Sequence, residues 1–191
     1  QKYKRSSKNF LLNFWVKYSE NLVLRQKNAK ILCFSNKDLN LIKEEYQLYG
    51  VKIDFFIDEQ IKGEKIDTVE DYFCFYGTWG RKENLEGLEW FEKRVAERLD
   101  FKIKIIGGGI KEDYKEILCR KGFEILGFVE NPYKILLKSK GLIAPLFNGA
   151  GVKVKVIEAL SCGTPIVGTE VALEGIEIES KLIKEITTFE E

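Results

Sequence analysis

From about residue 72 onward, short apolar runs alternate with stretches whose apolar residues recur every three to four positions. The apolar runs are 72–76, 101–106, 123–129, 141–146 and 165–167. Between them lie helical patterns over 85–99, 111–121, 132–138 and 152–161. In the first of these, Leu85, Leu88, Phe91, Val95 and Leu99 fall on one stripe, with Trp90 as an alternative to Phe91. Strands that alternate with helices of this length predict βαβ units and a mostly parallel sheet, the α/β class.

The first 60 residues read differently. An amphipathic helix over 8–25 precedes a strand at 31–34, and Ser35–Asn36 is placed to cap a helix over 37–48. Residues 51–56 then read as a second strand. The polar segment 58–68, with Gly63, reads as an interdomain linker. The expected organisation is an incomplete tail of a preceding lobe over 1–60, a linker over 61–70 and a ligand-binding domain over 71–191. A helix-strand-helix-strand piece is too small to be a complete nucleotide-binding lobe. The chain begins with Gln1 and contains no Met, so its natural start is not shown, and a fragment and a full-length product both stay open.

Composition narrows the chemistry by exclusion. A net charge of +1 gives no argument for nucleic acid as a partner. The absence of His removes a Ser-His-Asp triad, a Cys-His pair and any His metal ligand from this chain. The cysteines Cys33, Cys74, Cys119 and Cys162 form no C-x-x-C pair, so they read as buried reduced thiols of a cytoplasmic protein. No apolar run approaches the ~20 residues of a membrane span. Lys2, Lys4, Arg5 and Lys8 read as a solvated helix start, with a peripheral contact at the inner membrane face as the alternative.

Four places at the carboxyl ends of the expected strands carry unusual residues, and in open α/β sheets that edge is where ligands bind. After 72–76 comes Gly77-Thr-Trp-Gly-Arg-Lys-Glu-Asn84, where Gly77 and Gly80 allow close backbone approach, Arg81 and Lys82 offer positive charge, and Asn84 is placed to cap a helix. A plain βα turn with solvated charges fits this segment equally well. After 101–106 come Gly107, Gly108 and Gly109, which permit an exposed surface of backbone N–H groups or simply a tight turn. After the third strand, Phe128 and Val129 offer an apolar edge for a nucleobase, or ordinary strand-end packing.

The fourth place is GAGVKVKVIEALSCGTPIVGT, residues 149–169. A Gly-rich turn opens a helix, and the helix N-terminus presents N–H groups and the positive end of its dipole to an anion. Lys155 and Glu158 are three apart and share a face. Lys153 lies nearly opposite, so both lysines meet one phosphate only if Lys153 sits in the first turn and reaches over the helix mouth. The bland alternative is a Lys155–Glu158 surface pair worth a few tenths of a kcal/mol. Val154, Val156, Ile157 and Leu160 argue against it, because they predict a mostly buried helix in which Lys and Glu need partners.

These segments resemble the carboxyl-terminal, donor-binding domain of GT-B glycosyltransferases of the bacterial group 1 family. GAGVKVKVIEALSCGTPIVGT resembles the family's G-x-G-x-K-x-K-v-x-E-A-m-x-x-G-x-P-V-V. GTWGRKENLEGLEWF resembles its G-s-x-x-x-x-x-N-x-x-x-x-x-x-F, and FKIKIIGGG and GFVENPYKILLKSKGLIAPL resemble its middle segments. The four occur in order over about 72–176. The resemblance implies a Rossmann-like βαβ domain with a mostly parallel sheet, half of a GT-B fold, plus a remnant of the other lobe. It implies transfer of a sugar from a nucleotide-sugar donor to a polysaccharide or lipid-linked acceptor, retaining, without metal or separate cofactor. Glu158 would meet the donor ribose. Lys155 would stabilise the diphosphate, helped by Lys153, Arg81 and Lys82. Gly77, Gly108 and Gly109 would approach the phosphates or sugar, and Phe128 and Val129 the base. One departure is visible: the first carboxylate of the family's E-x7-E pair falls on Ala150, so sugar contacts would come from the backbone of Gly149, Ala150, Gly151 and Val152. A catalytically silent nucleotide-sugar-binding domain and a nucleotide-sugar epimerase of the same fold stay open as alternatives.

Overall fold

A computed structural model of the chain describes residues 7–55, 59–62, 68–176 and 183–186. The backbone forms two compact units, Gln1–Asp54 and Phe55–Glu191.

In the first unit, α1 (Ser7–Leu24) leads to β1 (Leu32–Cys33), α2 (Asn36–Tyr46) and β2 (Val51–Lys52). β1 and β2 pair in parallel. The expected cap is present: Ser35 Oγ accepts from the Asp38 backbone N–H at 3.1 Å and starts α2. Lys17 pairs with Glu45, Tyr46 donates to Glu20, and Arg25 Nη2 donates to the Tyr46 carbonyl at 2.8 Å, so α1 and α2 are joined largely by polar groups. The amphipathic expectation for α1 needs correction. Leu12, Phe14, Trp15, Val16, Tyr18, Leu22 and Val23 are all exposed. Several of them are consecutive, so they spread around the helix instead of forming one stripe. Lys2, Lys4 and Arg5 lie outside the described residues, as does the Lys8 side chain.

The second unit opens with α3 (Glu59–Lys62), which falls inside the segment read as a linker; its Ile61 is buried in the core of this unit. Then follow β3 (Tyr72–Tyr76), α4 (Lys82–Arg94), β4 (Lys102–Ile106), α5 (Glu112–Arg120), β5 (Phe123–Gly127), α6 (Tyr133–Lys138), β6 (Gly141–Ala144), α7 (Val154–Ser161), β7 (Ile166–Thr169), α8 (Glu170–Leu173) and β8 (Ile183–Ile186). The six strands β3–β8 form one sheet in the order β5-β4-β3-β6-β7-β8, and every neighbouring pair is parallel.

Alternation along the strands builds two cores, one on each face. Tyr72, Cys74, Ile106, Leu142 and Ala144 face a core completed by Tyr133 and Leu136 of α6 and Val156 and Ala159 of α7. Phe75, Ile103, Ile105 and Ile143 face the other, filled by Leu88 and Phe91 of α4 and Leu118 of α5. Strands β3 and β4 therefore bury both faces, which is why they read as unbroken apolar runs. Cys33, Cys74 and Cys162 are buried free thiols, but Cys119 is exposed, contrary to expectation, on the outer side of α5. No helix among the described residues is long and apolar enough to cross a membrane.

Candidate functional site

In chain order the strands step outward from β3 to β4 and β5, and then return to the other side of β3 as β6, β7 and β8. β3 and β6 thus flank a topological switch point, where the connecting loops part and leave a crevice at the carboxyl edge. A cleft of about 510 Å³ opens there. It is lined by Tyr76–Thr78 after β3, Ile106–Gly108 after β4, Phe128 and Val129 after β5, and Leu146, Gly149, Ala150 and Val152 after β6. Helix α4 adds Arg81, Glu83 and Asn84, and the start of α7 adds Lys153, Val154, Lys155 and Glu158.

The turns on the β3 side are locked together by backbone. Gly77 N–H donates to the Ile106 carbonyl at 3.1 Å and Trp79 N–H to the Gly108 carbonyl at 2.9 Å. The buried Trp79 ring adds Nε1–H to the Ile106 carbonyl at 3.1 Å. Gly107 has φ +113°, and a Cβ there would lie 1.9 Å from the Gly77 carbonyl oxygen, so no other residue fits. Gly108, by contrast, faces open space in the cleft.

Three charged side chains at the mouth of α7 have separate anchors. Lys153 is the N-cap residue with extended backbone (φ −92°, ψ 105°), not a first-turn residue, because α7 begins two positions later than the sequence pattern predicts. Its amine donates to the Gly151 carbonyl at 2.5 Å and lies 3.6 Å from Glu174. Lys155 donates from Nζ to Asn84 Oδ1 at 2.8 Å, and Asn84 Nδ2 donates in turn to the Thr78 carbonyl at 2.9 Å. Burial, reinforced by the charges of Lys153 and Arg81 and opposed by Glu83, lowers the Lys155 ammonium to about 8. Glu158 accepts a hydrogen bond from the Tyr133 hydroxyl at 3.0 Å. Burial first, then the charge of the nearby Glu158 carboxylate, pushes the Tyr76 phenol up to about 12.

The arrangement places a cationic helix mouth and, one turn deeper, a carboxylate on one wall of the cleft. Residues 70–185 match the family described as glycosyl transferases group 1. The chain belongs to that family. A curated relative from Klebsiella pneumoniae, described as an uncharacterized 44.6 kDa protein in the cps region, is 29% identical over 127 residues. That match covers 60% of this chain and 33% of the relative, so this group 1 chain spans about a third of its length. Among solved structures, TarM matches with a TM-score of 0.68 and 16% identity over 90% of this chain and 35% of its own. WaaG, a glycosyltransferase involved in lipopolysaccharide biosynthesis, matches at 0.63 and 14% over 85% and 50%. Anabaena HepE, solved in complex with UDP, matches at 0.64 and 11% over 83% and 50%. These likenesses give this glycosyl transferase chain the fold of the GT-B enzymes.

Of the residues singled out from the sequence at the four strand ends, all but Gly80, Lys82, Gly109 and Gly151 line the cleft of this group 1 domain. Lys82 is turned to solvent and lies 3.5 Å from Glu86. Gly109 packs behind the cleft, where a Cβ would lie 2.6 Å from the Gly80 backbone nitrogen. Gly151 contributes its carbonyl to Lys153. Asn84 is not a helix cap: α4 starts at Lys82 with Arg81 as N-cap, which leaves Asn84 in the first turn facing Lys155. Val154 is exposed at the rim, so α7 is buried on the side of Val156 and Ala159 alone. Sequence reading missed Thr78, Glu83, Tyr76 and Tyr133. Tyr76 and Thr78 carried the signal that picked out Gly77, the carboxyl end of a strand. Glu83 was hidden in a helical pattern, and Tyr133 lies 25 positions from the carboxylate it contacts. Among the described residues no group of three or more His, Cys, Asp or Glu side chains is gathered in a way that could hold a metal ion.

Proposed function

We propose that this cleft binds a nucleotide-sugar donor and that the chain supplies the donor half of a sugar transfer to a polysaccharide or lipid-linked acceptor. The observation that carries the reading is the placement of Lys155, Lys153 and Glu158 on one wall of a cleft at the switch point, with Arg81 opposite. As the sugar–phosphate bond breaks, negative charge grows on the leaving diphosphate. Lys155 and the α7 N-terminus are placed to stabilise that charge without a metal, so the chemistry proposed is metal-independent. Glu158 receives the ribose hydroxyls, Phe128 and Val129 flank the base, and the Gly108 turn and the Gly149–Val152 loop approach the phosphates and sugar. The presence of UDP in HepE makes UDP the first nucleotide to test. A retaining outcome rests on the family resemblance. Residues 1–60 are read as the tail of the acceptor-side lobe, and the site of action as cytoplasmic, with peripheral contact at the inner membrane face as the alternative.

A second reading is a silent nucleotide-sugar-binding domain, favoured by one observation: Ala150, exposed on the cleft wall, stands where a sugar-contacting carboxylate is expected. Binding and turnover separate the two. Thermal-shift screening of nucleoside diphosphates and nucleotide sugars is expected to stabilise the chain by ~2.7 kcal/mol at 100 times Kd. Glu158→Ala and Lys155→Ala are expected to abolish the shift; a chain that no nucleotide stabilises sinks the donor-site reading. Sugar transfer or donor hydrolysis by the full-length protein rules out the silent one.

A further inference from the structure

The Glu158 carboxylate is held by a side chain from outside its own helix. The Tyr133 hydroxyl donates to Oε1 at 3.0 Å from the first residue of α6. Tyr133 is only 7% exposed and its ring lies in the core between α6, α7 and the sheet. Its backbone N–H is bonded to Asn131 Oδ1 at 3.1 Å, which fixes the turn that delivers it. A Glu side chain has three rotatable bonds, and ordering it on ligand binding costs conformational entropy. An ionised carboxylate accepts at about four positions, so one rigid phenol can orient it without exhausting its acceptors. A phenol donor also adds no charge of its own to a cleft that must admit an anion.

We propose that Tyr133 is a positioning residue that pre-sets the Glu158 carboxylate to accept both hydroxyls of the donor's ribose. This rests on the donor-site reading above and adds a prediction that reading does not make. Tyr133 should discriminate a ribose from a deoxyribose although it need not touch either.

The test is titration calorimetry of the wild type, Tyr133→Phe and Asn131→Ala with UDP, 2′-deoxy-UDP and inorganic pyrophosphate. Phe keeps the ring in the core, and thermal melts check that each variant folds. The wild type is expected to prefer UDP to 2′-deoxy-UDP. Tyr133→Phe should weaken UDP about three- to tenfold, the scale of one hydrogen bond's net contribution felt indirectly through Glu158. It should leave pyrophosphate unchanged and bring the UDP to 2′-deoxy-UDP ratio towards one. Asn131→Ala, which removes the acceptor that fixes the Tyr133 turn, is expected to move the ratio in the same direction and provides the test if Tyr133→Phe does not fold. Equal losses for UDP, 2′-deoxy-UDP and pyrophosphate, or an unmoved ratio, would overturn the proposal and leave the donor site standing. A wild type that binds neither UDP nor pyrophosphate overturns both.

Discussion

The Lys155 amine donates to Asn84 Oδ1 at 2.8 Å, a bond that ties the start of α7 to the first turn of α4 across the switch point. Asn84 is itself held to the Thr78 carbonyl at 2.9 Å, so the lysine is aimed by a relay that begins at the end of β3. Asn84→Ala removes the acceptor and leaves a largely desolvated ammonium with one partner fewer. Urea unfolding at pH 7 is expected to show a loss of about 1–2 kcal/mol. Asn84→Asp supplies a negative charge and should raise the pH at which Lys155 loses its proton.

That titration gives a second prediction. Burial brings Lys155 from 10.5 down to about 8, helped by Lys153 and Arg81 and opposed by Glu83. Between pH 8 and 10.5 the unfolded chain therefore holds more protons at this position than the folded one, and the group's contribution to stability rises with pH across that window. A bound diphosphate acts in the opposite sense, because it favours the charged amine. Affinity for UDP is expected to be full below pH 8 and to fall about tenfold between pH 7 and pH 9. Lys155→Met should bind weakly at both and show no such step. An unchanged wild-type Kd across this range would show that the amine does not meet the phosphates.

Much of the second unit is legible in the sequence because its strands are buried on both faces and its helices on one. Tyr72–Tyr76 is found to the residue, and α5, α6 and β5 within a few. The edge of the sheet is not: β8 lies in a stretch that alternates charge with Ile and Leu, and α8 is a single turn whose signal is only the Thr169 cap on Ala172 N–H. The site is legible where chemistry follows sequence position, at helix starts and strand ends, as for Gly108, Lys155 and Glu158. It is not legible where partners meet through the tertiary fold. Lys155 meets Asn84 across 71 positions and Glu158 meets Tyr133 across 25, and neither spacing leaves a local pattern.

Glu83 places a negative charge on the wall that faces Lys155. On the proposed donor-site reading a diphosphate at Lys155 meets this charge, and Glu83 is expected to weaken the nucleotide complex. Glu83→Gln is expected to tighten UDP about three- to tenfold at low salt, with the gain shrinking at high salt as screening grows. Calorimetry at two ionic strengths checks it. Weaker binding by the Gln variant would mean that the carboxylate contacts the ligand instead.

The last prediction sets two effects of opposite sign against each other at Gly87. Helix propensity alone says that Gly87→Ala, in the middle of α4, should stabilise by up to about 1 kcal/mol. Packing says otherwise: a Cβ there would lie 2.3 Å from the Pro145 carbonyl oxygen, and backbone cannot swing aside like a side-chain tip. Overpacking of this kind costs about 1–3 kcal/mol, enough to outweigh the propensity gain. Pro145 follows β6 and leads into the Gly149–Lys153 turn, so relief of the clash would also displace the mouth of α7. Gly87→Ala is therefore expected to lower the urea midpoint and weaken UDP binding together. Gly80→Ala, whose Cβ would meet nothing within 4 Å, should leave stability nearly unchanged. A stabilised Gly87→Ala protein with intact binding would show that α4 can move off the Pro145 loop without consequence for the site.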